Sequence, residues 1–315
     1  MNFQQLRAVR EAIRKGFNLT EAADVLCTSQ SGVSRQLREL EEELGVTIFE
    51  RHGKRLTGLT APGRDIARII ERILVEKDNL KDAADEYLGF ASGRLTVAST
   101  HAQSRYRLPG VVTAFREAFP NVKLALHQTS PAQIVEMVRD GRADLGFATE
   151  SLSRQSDFAL FKAYSWWHRV VVPIGHPLTR IEQPTLVDIA QYPIITYEEG
   201  MTGRGRINQA FFDQRVTPNI VLTAIDSDVI KTYVELGLGI GIVAEMAYNP
   251  QRDTKLECLS GNLVPPNVAS IAVRRGTFLR GYAIAFIQML IPGLSAEAIR
   301  VAVENSAEIE VVPGH

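Results

Sequence analysis

The sequence predicts two kinds of structure in one chain: a small helical unit closed by a basic hairpin and extended by one long helix, then a larger α/β domain in two halves. Three observations predict it. Residues 1–58 hold short amphipathic helices and then a glycine turn among cations. Residues 61–87 repeat apolar side chains at alternating four- and three-residue spacing. Beyond Arg94, strand-like and helix-like runs alternate, the pattern of α/β domains with mostly parallel sheets.

Composition narrows the class. With 315 residues, 45% of them hydrophobic, the chain can build more than one core, which excludes small disulfide scaffolds and wholly disordered chains. The two cysteines, Cys27 and Cys258, match no metal-ligand spacing, and a reducing cytoplasm is the expected setting. Arg7, Arg10, Glu11, Arg14 and Lys15 precede any apolar run, so no signal peptide is read. The apolar stretches 236–244 and 283–291 are far below the ~20 residues of a membrane span. A net charge of −1 leaves room for a local basic patch, not a generally basic surface.

Phe3, Leu6, Val9 and Ile13 set a first helix over about Phe3–Lys15, stopped by Gly16. Asn18 caps a second, with Glu21 completing a capping-box-like pair and Ala22, Ala23, Val25 and Leu26 on its buried side. A third, capped by Thr28 or Ser29, runs to Leu44 and Gly45, with Val33, Leu37, Leu40 and Leu44 facing inward. Cys27, on the short second helix, is expected to be a packing residue. Two short helices and a tight turn form a helix-turn-helix pattern. On the outer side of the third helix stand Gln30, Ser31, Ser34, Arg35 and Arg38, groups able to read base edges and grip phosphates. A solvated face would look the same on this helix alone. The basic turn that follows, with Arg51, Lys54 and Arg55 around Gly53, favours DNA contact, because a hairpin there is the wing of a winged helix.

Thr60 and Pro62 start the long helix. Ile66, Ile70, Ile73, Lys77, Leu80, Ala84 and Tyr87 form a coiled-coil seam broken by Lys77. It reads as a dimerisation helix; the alternative is packing on the chain's own following domain. In the α/β part, strands are expected at 95–99, 122–128, 145–149, 166–173, 193–197, 219–224 and 240–244, with helices between. Gly237-Leu238-Gly239-Ile240-Gly241 follows a helix and enters a strand, so it reads as a helix stop with close packing, not a nucleotide loop. His101, His127, His168 and His176 show no ligand spacing, and no Gly-x-Ser-x-Gly elbow supports a hydrolytic centre. No cofactor or metal is expected.

The stretches Leu19–Ala23, Ser29–Leu37, Leu40–Gly45, Ile48–Arg51 and Leu59–Gly63 resemble the DNA-binding domain of the LysR-type transcriptional regulators. Thr96–Pro109, Ala143–Glu150 and Thr196–Arg204 resemble the cysteine-regulon activator branch of that family. The resemblance implies an all-α winged helix-turn-helix at 1–60, a linker helix at 61–90, and an effector domain at 94–295 of two Rossmann-like lobes, like type 2 periplasmic binding proteins. Lobe I would take about 94–165 plus 266–295, lobe II about 166–265, leaving 296–315 as a tail. It further implies a non-enzymatic, cytoplasmic regulator of sulfur assimilation and cysteine biosynthesis, tetrameric, acting on double-stranded DNA and open to RNA polymerase as a partner. Its effector would be an acetylserine-like inducer or a sulfate- or thiosulfate-like anion held by Thr100, Gln103, Thr149 and Thr202. The branch usually has Thr at position 102, where this chain has Ala. A regulator answering another sulfur source or small anion is the alternative. Thr100, Thr149 and Thr202 stand at strand–helix junctions, where free N–H groups favour anions.

Overall fold

The computed structural model describes residues 1–53, 55–87, 93–149, 152, 155–201 and 203–304, without the side chains of Asp82, Asp85 and Tyr87. The chain forms two compact units, Met1–Tyr87 and Leu88–His315.

In the first unit, α1 (Phe3–Arg14), α2 (Leu19–Val25) and α3 (Gln30–Leu44) precede a hairpin of β1 (Phe49–His52) and β2 (Arg55–Leu59), and α4 (Ala61–Tyr87) follows. Asn18 caps α2 through its side-chain oxygen. Glu21 meets the side-chain amide of Asn18 at 2.7 Å, not its backbone N–H as a full capping box would. Ser29 caps α3, and Gly45 ends it in the left-handed conformation. Leu6, Val9, Leu37, Leu40, Ile48 and Phe49 form the core.

Three sequence expectations change here. Val25 and Leu44 are exposed, because each sits on a last helical turn that has run past the core. Cys27 is exposed and sits at φ +51° in the tight turn, where the chain must reverse before α3. The seam of α4 is not wholly free: Ile70 and Leu74 are buried and Ile66 and Ile73 half-buried against the unit's own core. A three-helix core this small needs a fourth apolar face. Leu80 and Ile69 remain exposed.

The second unit contains two five-stranded sheets. In one the order is β4 (Val122–Gln128), β3 (Gly93–Ser99), β5 (Leu145–Thr149), β12 (Asn267–Arg274), β6 (Phe158–Trp166). In the other it is β11 (Leu256–Cys258), β7 (His168–Pro173), β10 (Ile240–Ala244), β8 (Ile194–Tyr197), β9 (Ile220–Ala224). Helices α5 (Leu108–Ala118), α6 (Pro131–Arg139), α7 (Leu186–Ala190), α8 (Arg204–Asp213), α9 (Ser227–Glu235), α10 (Gly281–Leu290) and α11 (Ala296–Glu304) pack on them.

The sheets are mixed rather than mostly parallel. β3, β4 and β5 run parallel, as do β8, β9 and β10, while β6, β7, β11 and β12 pair antiparallel. The chain changes sheet twice, from β6 to β7 at Trp167 and from β11 to β12. The segment read as one strand over 166–173 is therefore the end of one strand and the whole of the next. Residues 296–304, expected as tail, form α11, whose Ile299, Ala302 and Val303 enter the first sheet's core. At the glycine-rich entry to β10, a Cβ on Gly239 would stand 2.4 Å from the Pro193 carbonyl oxygen, the close packing expected there.

Candidate functional site

The parallel strands of both sheets direct their C-terminal ends toward one cavity of about 390 Å³. Ligand sites form there because helices begin where parallel strands end. Thr100, His101 and Ala102 follow β3, Gln128 ends β4, and Thr129, Ser130 and Gln133 open α6. Across from them, Tyr197 ends β8, Ile225, Asp226 and Ser227 follow β9, and Ala244 ends β10. Trp166 and Met201 complete the lining.

The cavity meets polar groups without partners. Thr100 Oγ1 and Trp166 Nε1 are buried and unpaired, as are Gln103 Nε2 and Ser104 Oγ just after Thr100 and Thr149 Oγ1 at the end of β5. A buried donor or acceptor left unmade costs about 1–3 kcal/mol, so a group of them marks a place where something else completes the bonds. Gln103 Oε1 accepts the Tyr164 hydroxyl. Burial pushes that phenol up to about 12, which keeps it protonated and donating. Tyr197, pushed up to about 12 by burial, accepts the Ala244 N–H at 2.8 Å and shares a 2.7 Å bond with Ser227.

His168 lies beneath this wall, its ring 4.9 Å from that of Trp166. Burial, helped by the Arg206 charge, lowers its pKa to about 3, so the ring is neutral. Its Nδ1 lies 3.3 Å from Asn267 Nδ2, and its Nε2 has no partner. Gly203 closes over this ring: a Cβ there would be 2.4 Å from His168 Nε2, and its φ is +79°. Only glycine lets the loop approach so closely.

On the rim, Tyr106 from the segment after β3 donates to Asp228 of α9 at 2.6 Å, and Arg105 Nε lies 3.2 Å from the same carboxylate. These contacts tie the first-sheet side to the second. Burial works to raise the Asp228 pKa, but the Tyr106 bond and the charges of Lys231, Arg105 and His101 outweigh it and hold the carboxyl below its usual range. His101, Asp226 and Asp228 bring possible metal-ligand atoms within 4.8 Å of one another, but Arg105 and Lys231 already face Asp228 and repel a cation. No lysine or arginine occurs among the described residues of the lining. The N-terminus of α6, capped by the neutral Ser130, opens on this side, whereas the N-terminus of α9 already holds the Asp226 carboxylate.

Of the four expected effector residues, Thr100 lines the cavity. Gln103 and Thr149 are buried and do not line it, and Thr202 lies outside the described residues. Gln128, Ser130, Gln133, Tyr197 and Ser227 were not anticipated. Their signal is positional: each ends a strand or begins a helix, which is visible only once both sheets are aligned.

In the first unit, Gln30, Ser31, Arg35 and Arg38 are exposed on α3 and Ser34 is half-buried. Gln30 and Arg55 share a groove of about 530 Å³ with Thr20. Arg35 Nε lies 3.4 Å from Glu39, and Arg38 Nε reaches the Ser34 carbonyl at 3.4 Å. Arg51 is held by Glu41 at 2.7 Å, while the other Glu41 oxygen accepts the N–H groups of Ile48 and Phe49. Lys54 lies outside the described residues.

Residues 3–64 match the bacterial regulatory helix-turn-helix protein, lysR family, and residues 89–295 match the LysR substrate binding domain. The chain belongs to the LysR family of transcriptional regulators. It is a DNA-binding regulator of the sulfur-regulon branch, not an enzyme. It is 55% identical to the HTH-type transcriptional regulator SsuR of Burkholderia cenocepacia, over 95% of this chain and 97% of that one. It is 48% identical to the regulator cbl of Escherichia coli, covering 99% of each. The solved cofactor-binding domain of the Cbl regulator superposes with a TM-score of 0.65 at 45% identity, covering 68% of this chain and 95% of that one. Among the described residues, no helix is long and apolar enough to cross a membrane.

Proposed function

We propose that this regulator controls genes of sulfur assimilation and cysteine biosynthesis, as an activator, in response to a small anionic sulfur metabolite bound in the cavity. The observation that carries the reading is the pair of unpaired buried groups on residues of the cavity wall, Thr100 Oγ1 and Trp166 Nε1. Neutral donors at helix N-termini suit a sulfate- or thiosulfate-like anion, or the carboxylate of an acetylserine-like inducer, that must also be released. Thr202 joins the set by family resemblance.

In this reading Gln30, Ser31, Ser34 and Arg35 reach base edges, and Arg38, Lys54 and Arg55 follow phosphates. Arg51 is chiefly a brace for the wing, with its charge still available to the backbone. The protein works in the cytoplasm as a homo-oligomer, a tetramer built from dimers that use the free part of α4 around Leu80. RNA polymerase is its further partner at promoters. An effector shifts the lobes only as far as it prefers one arrangement over the other.

A thermal-shift series with O-acetylserine, sulfate and thiosulfate tests the effector reading, since a ligand of the native state raises apparent stability. A shift present in the full-length protein and lost in Thr100→Val supports it. No shift with any of them at millimolar concentration refutes it.

A further inference from the structure

We infer that Asp228, which does not line the cavity, is a positioning residue that fixes the cavity's two walls relative to each other. This rests on the reading above only in taking that cavity as the effector site, and it holds for any ligand that touches both walls.

The chain joins the two sheets only at its two crossovers, so the width of a cavity between them is set by non-covalent contacts. Three side chains of the first-sheet side converge on the one carboxylate of Asp228. The Tyr106 hydroxyl donates to Oδ1 at 2.6 Å, Arg105 Nε lies 3.2 Å from Oδ2, and His101 Nε2 lies 3.8 Å from Oδ2. These residues are continuous with the wall. Thr100, His101 and Ala102 line the cavity, and a single π-helical turn, Gln103–Arg107, follows at once. Such turns are frequent at functional sites. Ser104 donates its N–H to the Thr100 carbonyl at 3.0 Å, and the buried Gln103 accepts the Tyr164 hydroxyl, so the places of Tyr106 and Thr100 are set together. The other His101 nitrogen, Nδ1, is buried without a partner, which leaves Asp228 as the polar group that orients the ring.

On the opposite side the carboxylate is held stiffly. Asp226 caps the first turn of α9 at the Val229 N–H, 2.9 Å away, and Ser227 shares its 2.7 Å bond with Tyr197; all but Val229 line the cavity. Lys231 Nζ lies 3.5 Å from Asp228 Oδ1 and is itself anchored on Asp253 at 2.9 Å and on the Ala247 carbonyl at 2.7 Å. Removing the Asp228 carboxylate therefore leaves Lys231 paired, while the first-sheet wall loses its tie. A ligand binds only the fraction of molecules whose walls stand at the right separation, so that fraction scales every affinity alike.

Isothermal titration of the full-length protein with sulfate, thiosulfate and O-acetylserine tests this. Asp228→Ala should weaken each one that binds by the same factor, about five- to tenfold, the worth of a hydrogen bond lost with its ion pair. Tyr106→Phe should weaken them less, and should add almost nothing in the Asp228→Ala background, because both remove one contact. Asp188→Ala breaks the Thr185–Asp188 capping box of α7, outside the cavity lining, and should lower the melting temperature without changing any affinity. Hydrogen exchange reads the same tie in the ligand-free protein: exchange over 99–108 should quicken in Asp228→Ala and stay as it is in Asp188→Ala. Unchanged affinity or unchanged exchange in Asp228→Ala, or equal weakening by Asp188→Ala, overturns the inference. A factor that differs from ligand to ligand makes Asp228 a direct contact and overturns it as well. If none of the three binds the unaltered protein, the anion reading falls, and the exchange experiment alone decides the role of Asp228.

Discussion

Glu41 should be the residue that holds the β1–β2 hairpin to α3. One carboxylate oxygen accepts the N–H groups of Ile48 at 2.8 Å and Phe49 at 3.0 Å, and the other meets Arg51 at 2.7 Å. Ile48 and Phe49 are fully buried, so their N–H groups have poor access to water once the acceptor is gone. Glu41→Ala leaves two such donors unpaired, about 1–3 kcal/mol each. The Arg51 pair adds little, because the Arg51 side chain is 27% exposed and can turn to solvent, a contribution of ~1 kcal/mol or less. The sum is about 2–7 kcal/mol for Glu41→Ala. Glu41→Gln keeps an amide oxygen for the two N–H groups and loses mainly the ion pair, so it should cost about 1 kcal/mol. Urea unfolding followed by circular dichroism, resolved for the N-terminal unit, measures both. DNA affinity should fall in the Ala variant for cognate and scrambled duplexes alike, because the wing is released. Equal losses in the two variants, or a loss under 1 kcal/mol for Ala, would refute the reasoning.

Three further expectations concern other parts of the chain. Arg35→Ala should narrow the gap between cognate and random DNA by about 1–3 kcal/mol, whereas Arg55→Ala should weaken both and make the salt slope shallower by about one phosphate contact; titrations at several salt concentrations separate them, and equal loss on both DNAs in Arg35→Ala would make it a phosphate anchor. Tyr106→Phe removes the 2.6 Å bond to Asp228 across the two lobes and should lower the stability of the second unit by about 1 kcal/mol, since Asp228 is partly exposed and keeps Arg105 and Lys231; an unchanged melting curve would mean the contact contributes nothing. His168 has a folded pKa of about 3 against 6.5 unfolded, so the unfolded chain binds the extra proton first and stability is lost as pH falls below about 6.5, by up to about 1.4 kcal/mol per unit. Urea midpoints at pH 7.5, 6.0 and 5.0 should show a decline that His168→Gln flattens, and parallel declines in both proteins would assign it to other groups.

The local elements were legible in the sequence because their causes are local. Asn18, Ser29 and Gly45 are caps whose chemistry acts within one helical turn, and Val33, Leu37 and Leu40 share a face through the helical period alone. The family motifs carried the two-part organisation. Where packing partners lay far away, the reading went astray. Val25 and Leu44 keep the right period but extend beyond the core they would need, and the α4 seam is divided because α1 of the same unit claims its first half.

The cavity was less legible. Thr100 could be placed from its strand–helix junction, but Gln128, Tyr197, Ser227 and Trp166 come together only because the chain crosses twice between sheets and aligns strand ends separated by up to about a hundred residues. No sequence period encodes that distance. The unpaired state of Trp166 Nε1 and Thr100 Oγ1, the neutrality of His168, and the closeness of Gly203 to its ring are likewise properties of burial. A sequence specifies which groups can donate, accept or cap, since that is covalent chemistry. Which of them lose water and face one another is decided by tertiary packing, because desolvation depends on everything that surrounds a group.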